Sequence, residues 1–207
     1  MIVLNNLYTG YSRNSPLLTE FNYRFDNKIY GILGESGCGK TTLLRTIAGL
    51  TKPLYGEVII NGIKNNRTGK NGIYMLHQNY TSFDWLTCLD NVLIAKKVKG
   101  KVTQEDIQNA FKMLEAVKLI EHVHKYPRQL SGGMRQRLAL ARTLFVQPHI
   151  ILMDEPLSAL DGDTRADMQK LIFNLHNKIK NTIIMVTHSR DEAAKLCDVV
   201  INLNNFK

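Results

Sequence analysis

Short apolar runs alternate with stretches of helical length along this chain, the pattern of an α/β architecture with a mainly parallel core sheet. The runs at residues 29–33, 73–76, 150–153 and 182–187 carry few charges, so they read as central strands covered on both faces. Phe21, Tyr23 and Phe25 alternate with polar neighbours at the period of a half-buried strand, and residues 2–7 open the chain as another. Residues 57–60 run into Asn61-Gly62, a pair that tolerates positive φ and signals a tight hairpin. The early strands are therefore expected to be antiparallel. From about residue 87 to residue 125 the period changes: Leu89, Val92 and Leu93, then Ile107, Ala110, Phe111, Leu114 and Val117 recur at helical spacing. That stretch reads as a helical insertion within the α/β unit, with no internal repeat or low-complexity linker.

The 207 residues, 44% of them hydrophobic and 22% charged, suffice for one substantial domain with a real core and exclude a mainly disordered chain. The longest unbroken apolar run is four residues, against the ~20 that a membrane-spanning helix needs. The first residues show no basic segment followed by a long apolar one, so no secretory signal is read there. Three cysteines fit a reducing compartment better than a disulfide scaffold, and a soluble intracellular protein is expected. The net charge of +9 is open to several readings: nucleic acid, anionic headgroups, polyphosphate ligands or plain solvated surface. Small basic clusters at Lys64/Arg67/Lys70 and Lys96/Lys97/Lys99/Lys101 lack the interleaved aromatics that stack bases.

The strongest local signal is Gly34-Glu35-Ser36-Gly37-Cys38-Gly39-Lys40-Thr41, which matches G-x-x-x-x-G-K-[ST] between an apolar run and a helical pattern. Glycines let successive backbone N–H groups turn inward around phosphate oxygens, and a helix N-terminus adds positive potential. Lys40 is suited to the outer phosphates and the Thr41 hydroxyl to Mg²⁺. Cys38 reads either as a small side chain that fits the loop or as an activated thiol near a helix N-terminus. Asp154 and Glu155 end the run at 150–153, where ligands of such sheets collect. Asp154 suits a Mg²⁺ shell, and Glu155 suits a base that orients an attacking water. A second anion-seeking helix start follows Leu130: Ser131 is a natural N-cap, and Gly132-Gly133 leave N–H groups open ahead of Leu138, Ala141, Leu144 and Phe145.

With these motifs in this order, the chain resembles the ATP-binding subunit of an ABC transporter over nearly all of its length. Gly34 to Thr41 is similar to the family's Walker A motif, and residues 150–154 with Glu155 to Walker B and the catalytic glutamate. Leu130-Ser131-Gly132-Gly133-Met134-Arg135-Gln136-Arg137 resembles the signature motif, with Met134 where many members have Gln. Gln78 resembles the Q-loop glutamine, Ser158-Ala159-Leu160-Asp161 the D-loop, and His188 the switch histidine. Tyr11 sits where the family has an aromatic that stacks on adenine, with Tyr8 as an alternative.

The resemblance implies a P-loop NTPase fold in a single domain: a nucleotide-binding core at 1–83 and 130–207, an antiparallel β subdomain, and a helical subdomain at about 84–129. It implies ATP and Mg²⁺ as cofactors. Nucleotide would be held by Tyr11, Gly34, Glu35, Ser36, Gly37, Cys38, Gly39, Lys40, Thr41 and Thr42, and by Ser131, Gly132 and Gly133 from a second subunit. Metal contacts would come from Thr41, Gln78 and Asp154, and Glu155, His188, Lys40 and Gln78 would carry catalysis. The expected partners are a second ATPase subunit in a head-to-tail dimer, transmembrane permease subunits and, for an importer, a solute-binding protein. Expected placement is the cytoplasmic face of the cell membrane. Residues 79–91 resemble the surface that receives a permease coupling helix, although Trp85 within it reads equally as a core anchor. Phe83-Asp84-Trp85-Leu86-Thr87 and Met134 look most like the nitrate/sulfonate/taurine importer group. The chain stops soon after 199–203, which by the same resemblance implies no C-terminal regulatory domain. A non-transport ABC ATPase acting on nucleic acid or ribosomes is the alternative. The short interval from Lys40 to Ser131 and the single cassette argue against it, so no specific nucleic acid is expected.

Overall fold

The computed structural model describes residues 1–65, 72–78 and 82–206; Arg67, Lys70 and residues 79–81 of the stretch after Gln78 lie outside it. In chain order the elements are β1 (Ile2–Ser12), β2 (Ser15–Phe25), β3 (Ile29–Leu33), α1 (Lys40–Ile47), β4 (Tyr55–Ile60), β5 (Ile63–Lys64), β6 (Ile73–Leu76), α2 (Cys88–Lys99), α3 (Gln104–Ala116), α4 (Gly132–Phe145), β7 (Ile150–Asp154), α5 (Gly162–Ile179), β8 (Thr182–Val186), α6 (Arg190–Leu196) and β9 (Val199–Asn202). They fall into two compact units, one of Met1–Met75, His149–Glu155 and Ile179–Lys207, the other of Leu76–Pro148 and Pro156–Lys178.

The first unit is built on two sheets. One has the order β6-β7-β8-β3-β9, in which β7, β8, β3 and β9 pair in parallel. Every residue of β7 and β8 is buried, as is all of β3 except Leu33, which explains their unbroken apolar sequences. Register aligns Ile32 with Val186 and Val186 with Asp154, so three strands finish at one level. The segments that leave those carboxyl ends emerge together, at the edge where parallel sheets bind ligands.

The other sheet is antiparallel, in the order β2-β1-β4-β5. Asn61 and Gly62 take φ of 51° and 81° and close the β4–β5 hairpin as expected. β1 and β2 run well beyond the stretches that alternation marks. Register shifts break their pairing at several points, with Asn6 and Glu20 at φ of 47° and 49°. Each shift moves the following side chains to the other face, so a strict period of two loses the strand. Leu43, Leu44 and Ile47 of α1 join Phe21, Phe25, Leu152 and Ile184 in one core, each fully buried side chain contributing roughly 1.5–3 kcal/mol.

In the second unit α2, α3 and α4 pack on one another and bury Val92, Leu93, Ala110, Leu114 and Leu138. The helical reading of 87–125 thus resolves into two helices. Thr87 caps α2 by accepting from Asp90 N at 3.1 Å, and Thr103 opens α3 with a reciprocal capping box to Asp106. Asn91, fully buried, donates to the carbonyls of Phe83, Leu86 and Thr87 and accepts from Phe83 N, so it fixes the segment before α2. No helix among the described residues is long and apolar enough to cross a membrane.

Candidate functional site

The loop from β3 to α1 is shaped by its glycines. Gly37 and Gly39 take φ of 80° and 100°, conformations that side chains disfavour. Gly39 is the N-cap of α1 and brings no capping side chain, and the first turn of the helix holds no acidic residue. The N–H groups of that turn meet neither a capping side chain nor an acid of the helix itself, a start suited to an anion. Lys40 is buried, and its Nζ donates to the carbonyls of Gly34 at 2.8 Å and Glu35 at 2.7 Å, lying across the loop. Glu35, Ser36, Gly37 and Thr41 are exposed, whereas Thr42 is buried. Past α1, Gly49 takes the left-handed φ of 75° expected where a helix ends.

Cys38 is buried, and a Cβ on Gly34 would come within 2.6 Å of its Sγ. Its thiol packs closely against Gly34, which favours the packing reading of this residue. Two groups that the sequence did not single out also touch the loop. Leu17 of β2 lies against Gly39, and Asn204 accepts from Glu35 N at 3.3 Å. Beside the loop, Pro16, Leu17, Thr19, Ser36, Gly37 and Cys38 line a cavity of ≈ 320 Å³. Tyr11, near the turn of the same β1–β2 hairpin, is 90% exposed. Tyr8 is engaged elsewhere: its hydroxyl donates to Glu20 and its ring meets Tyr55 edge-on at 5.5 Å.

From the neighbouring strand ends come two further pairs. Thr41 Oγ1 donates to Asp154 Oδ1 at 3.1 Å, joining the helix start to the end of β7. A hydroxyl and a carboxylate are hard oxygen donors. They suit Mg²⁺, which takes few protein ligands and completes its shell with phosphate and water. One residue on, Glu155 has φ of 51°, and its N–H donates to Val186 O at 3.0 Å. This left-handed turn is a strained conformation for a non-glycine residue. Glu155 Oε1 meets His188 Nε2 at 2.5 Å, with side-chain exposures of 17% and 53%. The first unit thus brings together the loop, Thr41, Asp154, Glu155 and His188.

The second unit holds Ser131, Gly132 and Gly133 at the start of α4. Ser131 Oγ accepts from Met134 N at 3.3 Å, and no acidic residue occupies the first turn. A Cβ on Gly133 would stand 3.2 Å from Ala159 O, and Ala159 N donates to the buried Gln136 Oε1 at 3.0 Å. The signature turn and the 158–161 segment are locked together by Gln136, whose part the sequence did not reveal. Asp161 caps α5 by accepting from Thr164 N at 2.9 Å, which holds its carboxyl below the usual range. Gln78 also belongs to this unit and is exposed just past β6. Phe83 and Trp85 stack tilted at 5.3 Å, and Arg142 of α4 lies 5.1 Å over the Phe83 ring. Trp85 is 73% exposed, so it is not a core anchor. With Asp84, His124, Tyr126, Arg128 and Gln129 it lines a cavity of ≈ 690 Å³.

Comparison with known proteins gives this arrangement a family. The model of the ABC transporter family matches residues 22–158. The spermidine/putrescine import ATP-binding protein PotA of Nitrosomonas europaea is 42% identical over 179 residues, 86% of this chain and 50% of that protein. The sulfate/thiosulfate import ATP-binding protein CysA of Synechocystis is 35% identical over 209 residues, 100% of this chain and 59% of that protein. The dimeric post-hydrolysis structure of the ATP-binding cassette MJ0796, bound to ADP and Pi, shares the fold with a TM-score of 0.86 at 31% identity, covering 98% and 94% of the two chains. The chain spans about half the length of the PotA proteins it matches. These two relatives are import ATP-binding proteins for spermidine/putrescine and for sulfate/thiosulfate, and they do not single out the nitrate/sulfonate/taurine group. A family match over most of the chain, with one fold shared nearly end to end, makes this chain a member of the ABC transporter family.

Proposed function

We propose that this chain is the ATP-binding and ATP-hydrolysing subunit of a membrane ABC importer, forming a single ABC ATPase domain. The observation that carries the reading is the convergence at one sheet edge of the P-loop, the Thr41–Asp154 pair and the Glu155–His188 pair. The inward N–H groups of the loop and Lys40 bind the phosphate chain, with the Lys40 ammonium exchanging its loop carbonyls for phosphate oxygens. Tyr11 supplies an open ring for adenine. Thr41 and Asp154 would hold Mg²⁺, which neutralises charge on the outer phosphates.

Glu155 orients a water and takes its proton as the water oxygen bonds to the γ-phosphorus. The bond from that phosphorus to the bridging oxygen breaks, leaving ADP and inorganic phosphate. His188, hydrogen-bonded to Glu155, holds the γ-phosphate end. Ser131, Gly132 and Gly133 serve the nucleotide of a second copy arranged head to tail, since their exposed helix start is a second anion site on the chain. The dimeric state of the matched MJ0796 cassette supports that assembly.

Permease subunits would dock on the Trp85 cavity, and a solute-binding protein would deliver the cargo outside, with this chain at the cytoplasmic face. Cargo selectivity would rest with those partners. Polyamine and sulfate importers among the relatives favour a small charged solute, and the Phe83–Thr87 stretch keeps the nitrate/sulfonate/taurine group among the choices. The test is Glu155→Gln. It should bind ATP normally, turn it over roughly 10²–10⁴ times more slowly, and accumulate as a dimer. Near-normal turnover would remove Glu155 from the role.

A further inference from the structure

His188 is more than half exposed on its side chain, so packing does not hold it against Glu155. Its backbone is held from both sides instead. Thr187 N donates to Ile32 O at 3.3 Å, tying the preceding residue to the strand that feeds the P-loop. On the other side Ser189 is the N-cap of α6, and its Oγ accepts from Glu192 N at 3.1 Å. In an ordinary capping box the acid three residues on would reach back to the N–H of the cap. Here a hydroxyl is interposed: Ser189 N donates to Thr187 Oγ1 at 3.1 Å, and Thr187 Oγ1 donates to Glu192 Oε2. The ring from Glu192 through Thr187 and Ser189 back to Glu192 encloses the backbone of residue 188. Glu192 is only 6% exposed, and burying a carboxylate is costly unless hydrogen bonds compensate it.

We propose that Thr187 and Glu192 are positioning residues for His188: their relayed capping box fixes the turn that aims the imidazole at Glu155 and the γ-phosphate. The inference rests on the hydrolytic role given to His188 above. The box acts through geometry, so a group at 192 that still accepts from the hydroxyl should suffice.

The experiment compares Thr187→Val, Thr187→Ser, Glu192→Gln and Glu192→Ala in the full chain, each with and without His188→Ala. It reads kcat, KM, affinity for a non-hydrolysable ATP analogue, and the melting midpoint. Thr187→Val should lower kcat roughly threefold to tenfold, the span of one lost hydrogen bond, with KM and analogue affinity within about twofold. Glu192→Ala should do the same, while Thr187→Ser and Glu192→Gln restore kcat. In the His188→Ala background the Thr187→Val loss should vanish, because the two changes remove one function. If Thr187→Val lowers kcat equally with and without His188, or not at all while His188→Ala does, the positioning role is wrong. If His188→Ala itself leaves kcat intact, the reading of the site fails first. Should Glu192→Ala not fold, the Thr187 series still decides.

Discussion

Replacing Gly39 with alanine probes the phosphate loop where it turns into α1 against β2. Gly39 stands at φ of 100°, well beyond the left-handed well near 57° that other residues reach. Holding an L residue in so sparse a region costs on the order of 1–3 kcal/mol. The new Cβ would also lie 3.1 Å from Leu17 Cβ. That atom is bonded directly to backbone, so no rotamer of Leu17 relieves the contact, and shifting the strand adds about 1 kcal/mol. The sum is roughly 2–4 kcal/mol.

The protein can bear this strain in two ways. If the loop keeps its shape, the folded state weakens and Tm falls by roughly 4–16 °C for a domain of this size. If the loop relaxes, stability recovers but the N–H groups no longer converge, and ATP binding weakens about tenfold per 1.4 kcal/mol. The two losses together should equal the strain. Denaturant unfolding without nucleotide and calorimetric titration with ATP measure them separately. A variant matching the parent within about 0.5 kcal/mol in both would refute the assignment of strain.

Three further outcomes follow from the geometry. Thr41→Val deletes the hydroxyl that meets Asp154, so the gain in ATP affinity on adding Mg²⁺ should fall at least roughly tenfold in titrations with and without the metal; an unchanged gain would exclude the pair as the metal seat. Asn91→Leu removes the buried amide that organises residues 83–87 and should lower unfolding free energy by roughly 2–4 kcal/mol, and a loss under about 1 kcal/mol would show that the segment is held by other means. The Asp106 carboxyl is held down at about 2, first by its hydrogen bond to Lys96 and then by Thr103. A lowered folded pKa stabilises above the unfolded value near 4 and is lost as pH falls towards 2, so the Tm advantage over Asp106→Asn should shrink across that window. An advantage that stays constant from pH 5 to pH 2 would deny the linkage.

The parallel strands were legible in the sequence because burial on both faces leaves unbroken apolar runs, and the P-loop because its spacing admits few other uses. The antiparallel pair at 2–7 and 21–25 was legible too, but the full length of the β1–β2 ladder was not, since its register shifts scramble alternation at Asn6 and Glu20. The positions of Asp154 and Glu155 at a strand end were readable; the left-handed turn at Glu155 was not. Side chains that act across long sequence intervals left no local mark. Gln136 reaching Ala159 and Asn204 reaching Glu35 are ordinary polar residues until the chain folds. Thr187 and Glu192 look like strand-end and helix residues, and only their shared hydroxyl relay gives them meaning. For Trp85, composition alone could not separate a buried anchor from an open wall, because the same ring serves either purpose.

Helix α4 links two of the features above like a pushrod. Near its last turn the guanidinium of Arg142 rests on Phe83, which also stacks on Trp85. At its first turns Gly133 and Gln136 grip the Ala159 strip. Ser131 and Arg142 are about 16 Å apart along the axis at 1.5 Å per residue. A hydrogen-bonded cylinder of that length hardly compresses. The Phe83–Trp85 pair and the serine–glycine tip are therefore kept at one fixed spacing by a single element.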